Sequence, residues 1–273
     1  MRPRGFLDER AGCAVITEEL IDRMAQKCLL NDEDFDAVVL DHGSKRIQTV
    51  NLHHLALAAR SDEFARTIDR ADFITADGWP IVSLMRSRGI DPARVTGSEF
   101  LERMLAGRQF QGTKAAILGA DRAAGFDFRG QLHGSGLEVV FRDHGNRRDW
   151  KPKRVAKKLQ KYGVDLLIVA VTPPFGDMIG EEVRKAGFRG VVVNVGGAVN
   201  MVTGNATMAP GWVRAAKIEW FYRLAQEPTR LFRRYIIECL PVFVKYILPH
   251  YWQRSRSRTQ PRIGGATVVH QGR

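Results

Sequence analysis

Asp165-Leu-Leu-Ile-Val-Ala-Val171, closed by Thr172-Pro-Pro174, is a near-continuous apolar, β-branched run. Gly190-Val-Val-Val-Asn-Val195, closed by Gly196-Gly197, is a second. Strands that are apolar throughout, rather than alternating, are buried on both faces, as in a parallel sheet covered by helices. Outward from this pair, Ile47–Asn51, Phe73–Thr75, Ala115–Leu118 and Leu137–Phe141 read as further short strands, and Asp36–Leu40 is another short apolar run of the same texture. Helical stretches separate them: Leu52–Arg70, residues 98–107 with Ser98 as the N-cap, the basic Pro152–Tyr162, and Glu181–Ala186. Residues 1–35 are helical in texture. This alternation predicts an α/β fold, a Rossmann-like and mostly parallel sheet with helices on both faces.

Ligands of such sheets bind at the carboxyl ends of the strands. The sequence marks those ends at Thr49/Asn51, Asp77-Gly78, Gly119, Thr172-Pro173-Pro174 and Gly196-Gly197. Asp77 follows a strand, a placement suited to a general base in a crevice; Asp-Gly is equally a common turn or helix cap. Thr49 and Asn51 share a face by the period of two, which suits a sugar or phosphate ligand or a plain exposed face. Gly196-Gly197 lets backbone approach a ligand closely. No GxGxxG stands at Gly119 or Gly196, and no GxxxxGK[ST] or Asp-x-Asp occurs. His53 and His54 are adjacent and diverge, so neither a metal nor any other cofactor is expected.

The 273 residues are 44% hydrophobic and 26% charged, an ordinary globular composition that excludes collagen-like, disulfide-scaffold and wholly disordered chains. Lys and Arg number 42 against 30 Asp and Glu, a net +12, which favours phosphate-bearing partners. Cys13, Cys28 and Cys239 are odd in number and widely spaced, pointing to a reducing compartment. No apolar stretch reaches transmembrane length, and the basic N-terminus lacks an apolar segment behind it. A cytoplasmic protein with at most peripheral membrane association is expected.

The texture changes after Pro210. Residues 211–258 hold ten basic residues against three acids, interleaved with Trp, Phe and Tyr. Arg223, Arg230, Arg233 and Arg234 fall on one helical stripe, in keeping with a solvated basic face, phosphate recognition or an amphipathic helix against anionic lipid. The expected organisation is a core over 1–210, a helical membrane-contacting appendage over 211–254 and a disordered tail over 255–273.

Taken in order, the motifs resemble those of the WecG/TagA/CpsF glycosyltransferases, family 26. The matching segments are Thr49-Val-Asn51, Thr75-Ala-Asp-Gly-Trp-Pro80, Arg94-Val-Thr-Gly-Ser98, Val193-Asn-Val-Gly-Gly-Ala198, and Ala209-Pro-Gly-Trp212 followed by Ile218–Leu224, Glu227-Pro228 and Arg230-x-x-Arg-Arg-Tyr235. The resemblance implies an inverting, metal-independent transfer of a hexosyl or N-acetylhexosaminyl group. The donor would be a UDP-sugar and the acceptor a polyprenyl-diphosphate-linked sugar at the cytoplasmic membrane face, in bacterial surface polysaccharide synthesis. It puts the family's proposed general base on Asp77, its threonine on Thr49 and its functional arginines on Arg94, Arg223, Arg230 and Arg233. With the strand-end residues, the candidate substrate-binding set is Asn51, Gly78, Arg94, Gly97, Gly119, Pro174, Gly196, Gly197, Arg223, Arg230 and Arg233. The implied partners are the donor, the acceptor and an anionic membrane surface; a homo-oligomer is compatible with all of this.

The chain departs from the family pattern in three places. Where most members carry Pro-x-Gln-Glu it has Pro174-Phe-Gly-Asp177, where they carry Phe-Asp it has Val199-Asn200, and Met208 replaces an arginine. These departures motivate a competing reading, a catalytically silent member that scaffolds a polysaccharide assembly complex. The +12 charge motivates another, a nucleic-acid-binding protein, but no binding motif is present and nucleic acid is not expected as a partner.

Overall fold

A computed structural model describes residues 16–132, 136–144, 149–204, 210, 213 and 219–249. Its centre is a six-stranded, all-parallel sheet in the order β2-β1-β6-β5-β3-β4. The strands are β1 Arg46–Val50, β2 Phe73–Ala76, β3 Lys114–Gly119, β4 Glu138–Asp143, β5 Leu166–Ala170 and β6 Val191–Asn194. β1, β5 and β6 are buried at every position, as their unbroken apolar runs require. The connections β1 to β2 and β5 to β6 step one way across the sheet, while β3 to β4 steps the other way. With right-handed crossovers, helices therefore cover both faces. One face is sealed by α2 (Asp32–Leu40), α6 (Gly97–Ala106), α7 (Arg122–Leu132) and α10 (Ala198–Val202). The opposite face carries α8 (Pro152–Lys161) and α9 (Phe175–Lys185) over β5 and β3. α1 (Glu18–Gln26), α3 (Leu52–Ala58), α4 (Asp62–Asp69) and α5 (Trp79–Ser87) cluster around β1 and β2.

Local boundaries differ from the sequence reading for identifiable reasons. Asp36–Leu40 is the end of α2, not a strand: Asn31 caps that helix, acids fill its first turn, and Phe35 and Val39 are buried one helical turn apart. The segment Leu52–Arg70 is two helices, because Ser61 accepts the Phe64 N–H and starts a new one. Thr96, not Ser98, caps α6, closing a capping box with Glu99. α9 begins at Phe175, well before Glu181, and α5 and α7 were not anticipated at all.

Beyond Gly204 the described chain resumes as a helix, Glu219–Gln226, followed by a helical rod from Pro228 to Ile247. Two stretches of the rod, Arg233–Cys239 and Phe243–Ile247, are π-helical. The expected boundary at 210 adjoins positions outside the described residues, as does the expected disordered tail over 255–273. The rod docks on the β1–β2 end of the core, where Cys239, Val242 and Ile247 are buried with Leu55, Ile81 and Met85. A polar clasp reinforces this apolar seam. Glu238 lies 3.2 Å from His53 Nε2, 3.4 Å from Arg60 Nη1 and 3.5 Å from Arg233 Nε. Arg60 also donates to the Ile237 carbonyl at 3.2 Å.

Burial drives the His53 pKa down to about 2, with the charges of Arg234, His54 and Arg60 adding to the effect. Glu238 favours the charged ring, but desolvation, together with the Arg234 and Arg60 charges, outweighs one carboxylate. The docked form therefore holds His53 neutral and accepts it as a hydrogen-bonding group only. A histidine whose folded pKa is depressed contributes stability above its unfolded pKa near 6.5, and that stability is lost as pH falls below it. In urea unfolding between pH 8 and 4.5, wild type should lose stability below about pH 6.5 more steeply than His53→Gln. The difference should reach up to ~1.4 kcal/mol per pH unit. Parallel curves would contradict a neutral, docked His53.

Candidate functional site

A cavity of about 1490 Å³ opens at the carboxyl ends of β2, β1, β6 and β5 and is roofed by the C-terminal rod. Its floor holds Thr49, Asn51, Asp77, Asn194, Gly196 and Gly197; Arg223, Arg234, Tyr235 and Phe243 enter from the C-terminal helices. Each floor residue is placed by a local feature of the chain.

Asp77 follows β2, and its N–H donates to the carbonyls of Val50 (2.9 Å) and Thr75 (3.1 Å). Gly78 then takes φ +107°, a value that excludes most side chains, and α5 starts with Pro80 in its first turn. Asp77 is thereby held between a strand end and a helix N-terminus. Asn51 donates to Asp77 Oδ2 at 3.4 Å. Burial is the largest influence on the Asp77 carboxyl and pushes its pKa above the usual carboxylate range; Arg223, the Asn51 bond, His54 and Arg94 oppose it. Such a carboxylate is a better proton acceptor than a solvated one.

Thr49 and Asn51 both reach the cavity, but not as two residues of one strand face. Thr49 is the penultimate residue of β1, and its Oγ1 donates to the Asn194 carbonyl at 2.8 Å on the neighbouring strand. Asn51 has left the strand to cap α3, accepting the His53 N–H at 3.1 Å. Its amide is consequently free to turn toward Asp77.

The glycines divide into two kinds. Gly196 (φ +59°) and Gly197 line the cavity, and a Cβ on either would meet nothing within 4 Å. Gly97 also lines it, yet a Cβ there would lie 3.0 Å from Val195 Cα, so this glycine lets α6 press against the end of β6. Gly119 is absent from the cavity lining; a Cβ there would lie 2.7 Å from the Ala170 carbonyl oxygen, which makes it a packing residue between β3 and β5. Pro174 likewise stands just outside, capping α9, while Thr172 and Pro173 reach the lining.

The arginines are sorted by the fold. Val95 N–H bonds to the Ala76 carbonyl at 3.3 Å, laying the Arg94 segment beside the end of β2. Arg94 is paired with Glu99, the same glutamate that closes the α6 capping box. Arg223 lines the cavity with Nη2 3.5 Å from Met201 Sδ. Arg233 points away, its side chain 79% exposed, into a side pocket of about 200 Å³ with His53, Thr172 and Glu238. Arg234 lines both pockets. Arg230 lies in the helix Pro228–Phe232, with its side chain outside the described residues.

Two departures from the family pattern have structural accounts. A Cβ at Gly176 would lie 2.0 Å from the Val171 carbonyl oxygen, so no glutamine fits there on this backbone. Asn200 donates to Asp121 Oδ2 at 2.6 Å and accepts the Asp121 N–H at 3.3 Å, engaging the loop after β3. Met208 lies outside the described residues. Among the described residues no three His, Cys, Asp or Glu side chains gather as a metal cage.

Sequence reasoning missed the apolar wall, where Trp79 meets Phe243 edge-on at 5.4 Å. It also missed the largely buried pair His54 and Asp177, which reach the cavity floor. A capping residue three positions before a side chain that reaches back is a readable signal, but Asn51-x-x-His54 replaces the usual Glu or Gln with His. The family model for the glycosyl transferase WecG/TagA/CpsF family matches residues 25–257. That span takes in the whole sheet, every described wall of the cavity and the docked C-terminal rod. The chain therefore belongs to the WecG/TagA/CpsF family of glycosyltransferases.

Proposed function

We propose that this protein transfers a hexosyl or N-acetylhexosaminyl group, with inversion and without a metal, from a UDP-sugar to a polyprenyl-diphosphate-linked sugar. The observation that carries the reading is the convergence of the Asp77 carboxylate at the strand ends with Arg94, Arg223 and Arg234 in one cavity. At about 1490 Å³ the cavity exceeds the roughly 300–1,000 Å³ of a single-ligand pocket, so donor and acceptor fit together.

In this mechanism the acceptor hydroxyl attacks C1 of the donor sugar while Asp77 takes the hydroxyl proton. The new glycosidic C–O bond forms as the bond from C1 to the diphosphate oxygen breaks, and UDP leaves with the electron pair. The arginines neutralise the charge that develops on the diphosphate. Thr49, whose hydroxyl proton is committed to Asn194, positions the ligand and does not ionise. Gly196 and Gly197 leave open space for the sugar.

The rod supports a membrane-facing acceptor. Phe221, Phe232, Ile237 and Val244 are each half exposed or more, with Leu240 and Trp220 close behind. No described helix is long and apolar enough to cross a membrane. An exposed apolar stripe beside Arg233 and Lys245 fits peripheral contact with anionic lipid, at the cytoplasmic face where lipid-linked precursors are built. The same edge would bring a diphosphate-linked sugar to the mouth of the cavity.

Two predictions follow from the assignment. Asp77→Asn should lower transfer by roughly 10²–10⁴-fold while retaining donor binding, and wild-type turnover should be unchanged by EDTA. A variant within a few-fold of wild type would remove Asp77 from the role of base, and activity lost to EDTA and regained with Mg²⁺ or Mn²⁺ would remove the arginines from theirs. Second, with a water-soluble acceptor, Arg234→Ala should reduce kcat/KM by at least tenfold, the loss of about one charge-assisted contact, whereas Arg233→Ala should change it little. The reverse order would mean that the outward-pointing arginine is the one that meets the diphosphate.

A further inference from the structure

Within the cavity floor, where His54 and Asp177 reach the lining and Gln48 stands behind them, lies a set of polar side chains that the transfer chemistry does not use. Gln48, His54 and Asp177 are each 3% exposed or less. Gln48 Nε2 donates to Asp177 Oδ1 at 2.7 Å, and Gln48 Oε1 accepts from Arg46 Nη1 at 2.8 Å. These two bonds fix which end of the Gln48 amide faces which neighbour. His54 presents Nδ1 to the Asn51 N–H at 3.1 Å and Nε2 to Asp177 Oδ2 at 3.5 Å. Phe64 stacks on the ring from behind, centroid to centroid 6.1 Å.

The ring is held from both sides. Nδ1 lies 3.1 Å from the Asn51 backbone nitrogen and 3.0 Å from Asn51 Oδ1. Nε2 lies 3.3 Å from Gln48 Nε2 and faces Asp177 Oδ2, a buried oxygen with no hydrogen bond among the described residues. Asn51, gripped by the ring at its own N–H and at its side-chain oxygen, is the residue whose side-chain amide meets Asp77 Oδ2.

We propose that Asp177 and His54 are a positioning pair for Asp77: the buried carboxylate, directly and through Gln48, fixes the His54 ring, the ring fixes Asn51, and Asn51 aims the Asp77 carboxylate at the acceptor hydroxyl. Neither touches the reacting atoms, and no proton travels along the chain. The proposal rests on the reading of Asp77 as the base. A buried carboxylate that orients an imidazole by its second nitrogen is a general device; here the imidazole acts on a capping asparagine instead of on substrate.

The pair is tested in the full-length enzyme by kinetics and by ring ¹⁵N NMR. Asp177→Asn should lower kcat by ~10–100-fold, the usual cost of losing an orienting partner, with donor KM changed less than about threefold. His54→Asn keeps a hydrogen-bonding group near the Nδ1 position and should retain at least ~10-fold more activity than His54→Leu, which keeps none. Because Asp177 acts only through the ring, the double variant His54→Asn/Asp177→Asn should fall no further than His54→Asn alone. Additive losses, or equal activity of His54→Asn and His54→Leu, would reduce the pair to a structural role. The NMR measurement is independent of turnover: Asp177→Asn should shift the His54 ring nitrogens relative to wild type. Unchanged ring shifts would overturn the proposal even if Asp77→Asn proves inactive. Shifted ring nitrogens together with a fully active Asp77→Asn would show instead that the assignment of the base had failed.

Discussion

The molecule is organised around charge buried at the root of its first strand. Arg46 is fully enclosed, and its guanidinium lies 3.2 Å from Glu181, which is itself 2% exposed. Desolvation pulls the Arg46 pKa down, and Glu181, Asp177 and Asp72 hold it up. Burying such a pair contributes little net stability, but stranding one partner costs roughly 3–5 kcal/mol. The register of β1 against α9 is therefore tightly constrained. Arg46, Gln48, Thr49 and Val50 belong to β1, while Asp177 and Glu181 belong to α9. Sliding either element would break the ion pair and the Gln48–Asp177 bond together. The same register delivers Thr49 and Asn51 to the cavity, so the buried network and the candidate active site are two ends of one strand.

The second constraint is that the cavity has walls from two parts of the chain. The sheet supplies Asp77, Asn51 and the Gly196-Gly197 floor; the C-terminal helices supply Arg223, from Glu219–Gln226, and Arg234 and the aromatic side, from the rod. The rod is held by buried Cys239, Val242 and Ile247 and by the Glu238 clasp on His53 and Arg60. Adjacent residues of a helix project roughly 100° apart, so the docked rod turns Arg233 to the exterior and Arg234 to the interior. A site divided in this way couples recognition of the ligand to docking of the rod, and the exposed apolar edge lies on the same element.

The parallel sheet was legible because buried strands write themselves as apolar runs: all six strands were placed to within a residue or two at their ends, and Asp77, Thr49 and the glycine pair were found as strand-end residues. The family motifs supplied the roles that spacing alone left open. What was illegible depended on contacts distant in sequence. Asp36–Leu40 carries the same apolar texture as a strand, and only the Asn31 cap and the acidic first turn make it a helix. Gly119 resembles a ligand-approach glycine until Ala170 is set beside it. Arg233 and Arg234 read alike in sequence, and only the way the rod docks decides which of them faces the cavity. His54 of α3 and Asp177 of α9 are far apart in the chain, and their meeting is a property of the folded packing alone.

The central claim is that one ligand site spans the strand ends and the docked rod. Hydrogen–deuterium exchange of the full-length protein, with and without a saturating UDP-sugar, tests it most directly. The account predicts protection in the cavity-lining segments after β1, β2 and β6 together with protection in 219–240, at the same ligand concentration. Protection confined to the sheet, with exchange in 219–240 unchanged, would contradict it.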